Sequence, residues 1–184
     1  MAAASTPSIV HVVEYMAPGG IETLVLDMVR ETPGRHTIVS LQGSAESLVA
    51  AWPALAAEHH RLVGLGRQGG LDPSLILRLR RHLKAVGATS VIAHHIGPLV
   101  YGGLAARAAG IRTVVHVEHD GWHYEDAKRR RLAKALFALV RPERVAVSRE
   151  IAERIAAWDP GARLTVIRER KVSRSVSPLA SKRM

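Results

Sequence analysis

Residues 116–126, HVEHDGWHYED, hold the densest set of side chains able to bind a ligand or move a proton. His116, Glu118, His119, Asp120 and His123 sit at and just past a β-branched run that starts at Thr113. Three chemistries fit these residues. Histidines with a carboxylate can hold a divalent metal, although no H-E-x-x-H or comparable helical spacing is present. The same polar groups can simply cap the helix that follows. Alternatively, a histidine can hydrogen-bond sugar hydroxyls or a phosphate. The pair His94-His95 ends the preceding β-branched run, which is expected to lie next door.

A second candidate is EYMAPGGIETLVLDMV, residues 14–29. Gly19 and Gly20 follow a strand-like run, Ile9 to Val13, and stand where a helix begins. The first N–H groups of a helix are unpaired and carry the positive end of its dipole. Without side chains in the way, a phosphate or carboxylate can approach them. A tight turn needing positive φ explains the same two glycines, and spacing alone does not separate these readings. A formal G-x-G-x-x-G occurs at Gly64, Gly66 and Gly69. It follows the third strand rather than the first, and no Asp or Glu occurs between Asp72 and Glu118. A dinucleotide fingerprint wants an acid about 20 residues on, so a flexible loop is expected instead. In KRRRLAKALFALV, residues 128–140, Leu132, Leu136 and Val140 recur every four residues behind a basic start. The segment reads as a core helix with a solvated end, or as one docking on an anionic membrane surface near a lipid-linked substrate.

Composition narrows the field. The chain has 184 residues, 47% of them hydrophobic, enough for one domain with a core. It has no cysteine, which excludes disulfides, thiolate metal sites and cysteine nucleophiles and fits a reducing compartment. The start MAAASTPS has no secretory pattern, and no apolar run approaches the roughly 20 residues of a membrane span. The formal charge is +10, and half of it lies in residues 168–184, where Arg168, Arg170, Lys171, Arg174, Lys182 and Arg183 face only Glu169. Aromatics make up 4% of the chain and none lie in that tail, so a stacking platform for nucleic acid is missing. No specific nucleic-acid partner is expected.

These groups need elements to position them. Strands are expected at 8–14, 36–41, 61–65, 90–94, 113–118, 144–147 and 164–167, with helices at 21–31, 73–86, 98–109, 125–140 and 148–158. In 21–31, Ile21, Leu24, Val25, Met28 and Val29 form a core-facing stripe. Asp72-Pro73 is a cap followed by proline at the first helical position. Such alternation predicts an α/β fold. It is a doubly wound, mostly parallel Rossmann-like sheet of about seven strands with helices on both faces. Ligands would then sit beyond the carboxyl ends of the strands. A flexible start at 1–7, a domain at 8–167 and a basic, disordered tail at 168–184 complete the expected organisation.

Four stretches taken in order carry a resemblance. They are HVVEYMAPGGIETLVLDMVR, GLGRQGGLDPSLILRLRRHLKAVGATSVIAHH, GLAARAAGIRTVVHVEHDGWH and VAVSREIAERI. Together they resemble the amino-terminal domain of family 4 retaining glycosyltransferases, over roughly residues 8–167. The resemblance implies the GT-B plan, in which two Rossmann-like domains face each other across a cleft. It implies that Gly19 and Gly20 face the donor diphosphate or the transferred sugar. His119 is implied as the catalytic histidine contacting that sugar. His95 and Gly97 are implied in an acceptor-side loop, and Glu118 beside them as substrate-binding. Ser148 reads first as a helix N-cap. The reaction implied moves a sugar from a nucleoside diphosphate sugar to a hydroxyl acceptor, which is a sugar, a lipid-linked molecule or a polysaccharide. No metal and no bound cofactor are implied.

One departure is large. In the family, the strand matching LTVIR runs into a second domain that holds the nucleotide-sugar, whereas here it meets Glu169-Arg170-Lys171. The expectation is a reading frame truncated before the donor domain and a chain inactive alone. It would be cytoplasmic, and peripheral on the inner membrane face where 128–140 docks. Other classes stay open. They are a non-catalytic module pairing with a separate donor-domain chain, a metal-dependent enzyme centred on 116–123, and a fragment of a sugar-nucleotide epimerase.

Overall fold

β-Branched residues dominate seven short strands: β1 Ser8–Val13, β2 Arg35–Ser40, β3 Leu62–Gly64, β4 Ser90–His94, β5 Thr113–Glu118, β6 Glu143–Ala146 and β7 Thr165–Val166. The computed structural model describes residues 6–167. The expected basic tail lies outside them, as do residues 1–5 of the expected flexible start. The strands form one sheet in the order β3-β2-β1-β4-β5-β6-β7, every pair parallel. Parallel strands buried on both faces need apolar side chains on both, which is why these segments read as near-continuous runs rather than as alternation.

The helices are α1 Gly20–Glu31, α2 Ala45–Ala51, α3 Pro73–Ala85, α4 Ile96–Pro98, α5 Leu104–Ala109, α6 Ala127–Val140 and α7 Arg149–Trp158. On one face, Val13, Ile38 and Leu62 of the sheet pack with Val25, Leu26 and Val29 of α1 and Leu48 of α2. On the other, Val10, Val12, Val39, Val91, Ala93 and Val114 meet Leu75, Leu79 and Leu83 of α3, Ala105 and Ala106 of α5, and Leu136 and Val140 of α6. The three α3 leucines are fully buried, each contributing about 2 kcal/mol of transfer free energy. Their spacing of four residues is the stripe visible in the sequence.

Two regions differ from expectation. Residues 45–61 form α2 and a 3-10 helix, Pro53–Arg61, where no element was expected before a strand at 61. Seven residues stopped by a proline are too short for periodicity to show. The helix expected at 98–109 starts earlier and passes through a π-helical turn, Leu99–Gly103, between α4 and α5. A Cβ on Gly103 would lie 2.8 Å from a Val140 methyl, so glycine lets this segment approach α6 closely. The loop bearing Gly64, Gly66 and Gly69 is anchored. Arg67 pairs with Glu14 and donates to the Gly70 carbonyl at 2.7 Å, and the Tyr101 hydroxyl accepts from the Asp72 N–H at 3.1 Å.

Candidate functional site

β1 and β4 are neighbours, yet their onward connections lead to opposite edges of the sheet, to β2 and to β5. Loops after such strands diverge and leave a crevice at their carboxyl ends. Gly19 and Gly20 follow β1, His95 and Gly97 follow β4, and His119 follows β5. The crevice is a cleft of about 390 Å³ lined by Glu14, His95, Ile96, Gly97, Pro98, Asp120 and Trp122.

At the start of α1, Gly19 is extended, with φ −168°. Neither it nor Gly20 has positive φ, which removes the tight-turn explanation. α2, α3, α6 and α7 are capped by the side chains of Ser44, Asp72, Asp126 and Ser148, each accepting a backbone N–H. Gly19 offers α1 no side-chain cap. A Cβ on Gly20 would meet nothing within 4 Å. The fold's own packing therefore does not require glycine there, whereas a ligand approaching the first N–H groups of the helix would. Above Gly19 the only close neighbour of such a Cβ is the movable end of the Glu22 side chain.

His95 carries the marked backbone strain, with φ 73° and ψ 169°. That region is almost confined to glycine and costs on the order of 1–3 kcal/mol. Its N–H donates to Val117 O and its carbonyl accepts from Leu99 N, both at 3.2 Å. The strained turn sets the imidazole beside His119, ring centres 5.2 Å apart, with Nδ1 3.7 Å from the Asp120 carboxylate. A Cβ on Gly97 would come 3.1 Å from Glu14 Oε2. Glu14 accepts from Gln42 Nε2 at 2.5 Å and pairs with Arg67. Reasoning from sequence passed over Glu14 and Arg67. Their signal was place alone, since Glu14 directly follows β1 and Arg67 stands in the loop after β3.

His119 is half-buried. Its Nε2 lies 3.2 Å from Nδ1 of His94, which is 1% exposed. Burial, then the neighbouring His95, pushes the His119 pKa down to about 4. Burial also lowers that of His95, against the pull of Asp120. Both rings are therefore neutral near pH 7 and present one donor and one acceptor each.

Glu118 does not join them. Adjacent strand residues point to opposite faces, and its carboxylate lies on the α6 side, 1% exposed. There it accepts from Arg144 Nη2 at 3.1 Å and from the Tyr124 hydroxyl at 3.4 Å, and stands 3.3 Å from His116 Nε2. In this structure Glu118, expected from the sequence to bind substrate, sits in a buried ion pair, and Tyr124 and Arg144 are partners the sequence did not announce. Among the described residues no group of three or more His, Asp or Glu side chains converges to hold a metal. The histidines face one another in succession instead of sharing a centre.

A parallel sheet wound in both directions, with its cleft at the switch point, is the Rossmann-like domain of the GT-B plan. The family model for glycosyltransferase family 4 matches residues 18–169, and the chain belongs to that family. Among solved structures it is similar to a glycosyltransferase from Rickettsia africae ESF-5, at 16% identity and TM-score 0.64, covering 90% of this chain and 44% of that one. A UDP-N-acetylglucosamine 2-epimerase gives 16%, 0.62, 88% and 48%. MurG of Acinetobacter baumannii gives 18%, 0.52, 90% and 47%. No curated protein sequence matches the chain. It thus spans less than half the length of these structures. Among the described residues no helix is long and apolar enough to cross a membrane.

Proposed function

We propose that this domain forms the acceptor-side wall of a retaining glycosyltransferase that moves a sugar from a nucleoside diphosphate sugar to a hydroxyl acceptor. The carrying observation is convergence at one switch point. The open start of α1, the strained His95 and the neutral His119 follow three adjacent strands at that point; His95 and Gly97 line the cleft, and the His119 ring stands beside it, 5.2 Å from that of His95. In this reading the N–H groups at Gly19 and Gly20 stabilise charge on the leaving diphosphate, helped by the helix dipole. His119 hydrogen-bonds the transferred sugar. His95 and Gly97 border the acceptor, whose hydroxyl oxygen forms the new bond to the sugar carbon as the bond to the diphosphate oxygen breaks and the hydroxyl proton passes to the departing diphosphate. Trp122, 41% exposed at the rim, gives an apolar surface for a sugar ring or a lipid-linked acceptor. The donor's nucleotide would be held by a second domain facing this one. Contact of 128–140 with a membrane belongs to the same proposal, because Leu132 and Leu139 are 68% and 67% exposed behind the basic start of α6.

The test is calorimetric titration of UDP and GDP into the chain, with His119→Ala beside it, and an assay with UDP- and GDP-sugars. Weak diphosphate binding and turnover far below about 1 per second, an ordinary enzyme rate, are expected. Loss of His119 should weaken binding of the nucleotide-sugar but not of the free nucleotide. No binding of either nucleotide, or full turnover by this domain alone, would sink the reading.

A further inference from the structure

Three histidines outside the cleft stand in one row behind His119. His36, His11 and His94 lie on β2, β1 and β4, on the sheet face covered by α1, and His119 follows β5. His36 is paired in register with Ile9, two residues before His11. His11 is paired with Ile92, two before His94, and His94 with Val117, two before His119. The same two-residue climb repeats at each strand. With a side-chain period of two, all the imidazoles stay on one face and advance diagonally toward the cleft.

Their contacts are head to tail. His36 Nδ1 lies 3.1 Å from His11 Nε2, His11 Nδ1 3.5 Å from His94 Nε2, and His94 Nδ1 3.2 Å from His119 Nε2. Successive rings are 5.4, 5.8 and 5.5 Å apart at their centres. At the far end His36 Nε2 is 3.2 Å from the hydroxyl oxygen of Thr32, an exposed residue just past α1. That hydroxyl also contacts the Met28 carbonyl. A carbonyl only accepts, so the hydroxyl proton points to Met28, and the oxygen is left to accept from His36.

A neutral imidazole donates from one nitrogen and accepts with the other, so one end of the row fixes all of it. With the proton of His36 on Nε2, its Nδ1 must accept from His11 Nε2. His11 Nδ1 must then accept from His94 Nε2, and His94 Nδ1 from His119 Nε2. We infer that Thr32, His36, His11 and His94 form a polarised hydrogen-bond relay that fixes His119 in the Nε2–H tautomer and leaves its Nδ1 as an acceptor. The three buried histidines are positioning residues. They make the sugar position facing His119 one that donates a proton, a hydroxyl rather than an acceptor-only group such as fluorine. This last consequence rests on His119 facing the sugar; the relay itself does not. Burial keeps His11 and His94 neutral, holding the His11 pKa down to about 3 and that of His94 well below its usual value. A charged ring, donating from both nitrogens, would break the order.

The experiment is long-range proton–nitrogen NMR on the ligand-free full chain with labelled histidine at pH 7. His119 should carry its proton on Nε2. Thr32→Val removes the anchor at an exposed position and should raise the Nδ1–H share of His119 several-fold. Thr32→Ser, which keeps the hydroxyl, should restore the parent spectrum. Unchanged thermal unfolding of both variants would show the shift to be tautomeric. A parent His119 protonated on Nδ1 overturns the relay. So does a Thr32→Val spectrum altered at His36 but not at His119, or altered at neither. Because no ligand is present, such a failure leaves the glycosyltransferase reading standing, while failed nucleotide binding leaves the relay standing.

Discussion

On the α1 side of the sheet, besides the buried Glu58 held by Arg30 and Arg61, the buried imidazoles of His36, His11 and His94 form a row that leads to His119. On the α6 side, around the buried His116, charges dominate. Arg144 bridges Glu118 and Asp159, each at 3.1 Å, and lies over the Phe137 ring at 4.2 Å, while Lys134 reaches Asp159 at 3.5 Å. The two arrangements answer the same constraint, that a buried polar group must be paired. They differ in what they permit. A neutral row can reverse by moving one proton per ring and so can be set from one end. An ion pair has one arrangement and fastens β5, β6, α6 and the end of α7 together. The row leads to the candidate site, and the ion pairs stand behind it.

Breaking the charged side should cost the most. Arg144→Leu leaves Glu118 buried without its cation, and removing one partner of a buried pair typically costs about 3–5 kcal/mol. Urea unfolding followed by circular dichroism should show a loss of that size. A loss under about 1 kcal/mol would mean that the Arg144 pair does not fasten this half, and the contrast between the faces would fail.

The contrast also explains what the sequence could and could not disclose. Strands such as Ile9 to Val13 and Thr113 to Val117 were legible because β-branched residues fill them almost without a break. The glycines at 19 and 20, His95, Gly97 and His119 were legible as candidates because each follows a strand. Glu118 and His119 are neighbours in sequence and were read together, but alternation sends them to opposite faces, and which face meets the cleft depends on packing. His11 and His36 drew no functional reading from the sequence. Their relation to His119 exists only once β2, β1, β4 and β5 are placed side by side in register, a non-local fact that no window of sequence contains. The helix at 45–51 was hidden for the opposite reason, being too short for its periodicity to register.

The neutral side should reveal itself through pH. In the fold, His11 and His119 take up protons only near pH 3 and pH 4, and His94 too is held low. Unfolded histidines do so near about 6.5. Between those values the unfolded state binds more protons, so stability is greatest above about pH 6.5 and falls as pH drops through the window. Each such histidine adds a slope of up to about 1.4 kcal/mol per pH unit. Melting temperature should decline steadily from pH 7 to pH 4.5, before most carboxylates titrate. His11→Phe should flatten that decline even where it lowers the curve as a whole. A profile level over the same range would mean that the row is not held neutral.

The smallest effect on stability should accompany a large one on binding. Gly20 is helical, has no positive φ, and has open space where a Cβ would stand. Gly20→Ala therefore introduces neither strain nor clash. By reducing the freedom of the unfolded chain it should stabilise the fold by about 0.4–1 kcal/mol. The added methyl would nevertheless stand over the first N–H groups of α1, where the proposed diphosphate must come within hydrogen-bond distance. Calorimetric titration of UDP or GDP should therefore show markedly weaker binding in a protein that melts at the same temperature or higher. Unchanged affinity would place the anion elsewhere and leave Gly20 without an explanation. A drop in stability would mean that the space above it is needed by the fold itself, and that this end of α1 belongs with the charged side's structural groups and not with the histidine row's functional ones.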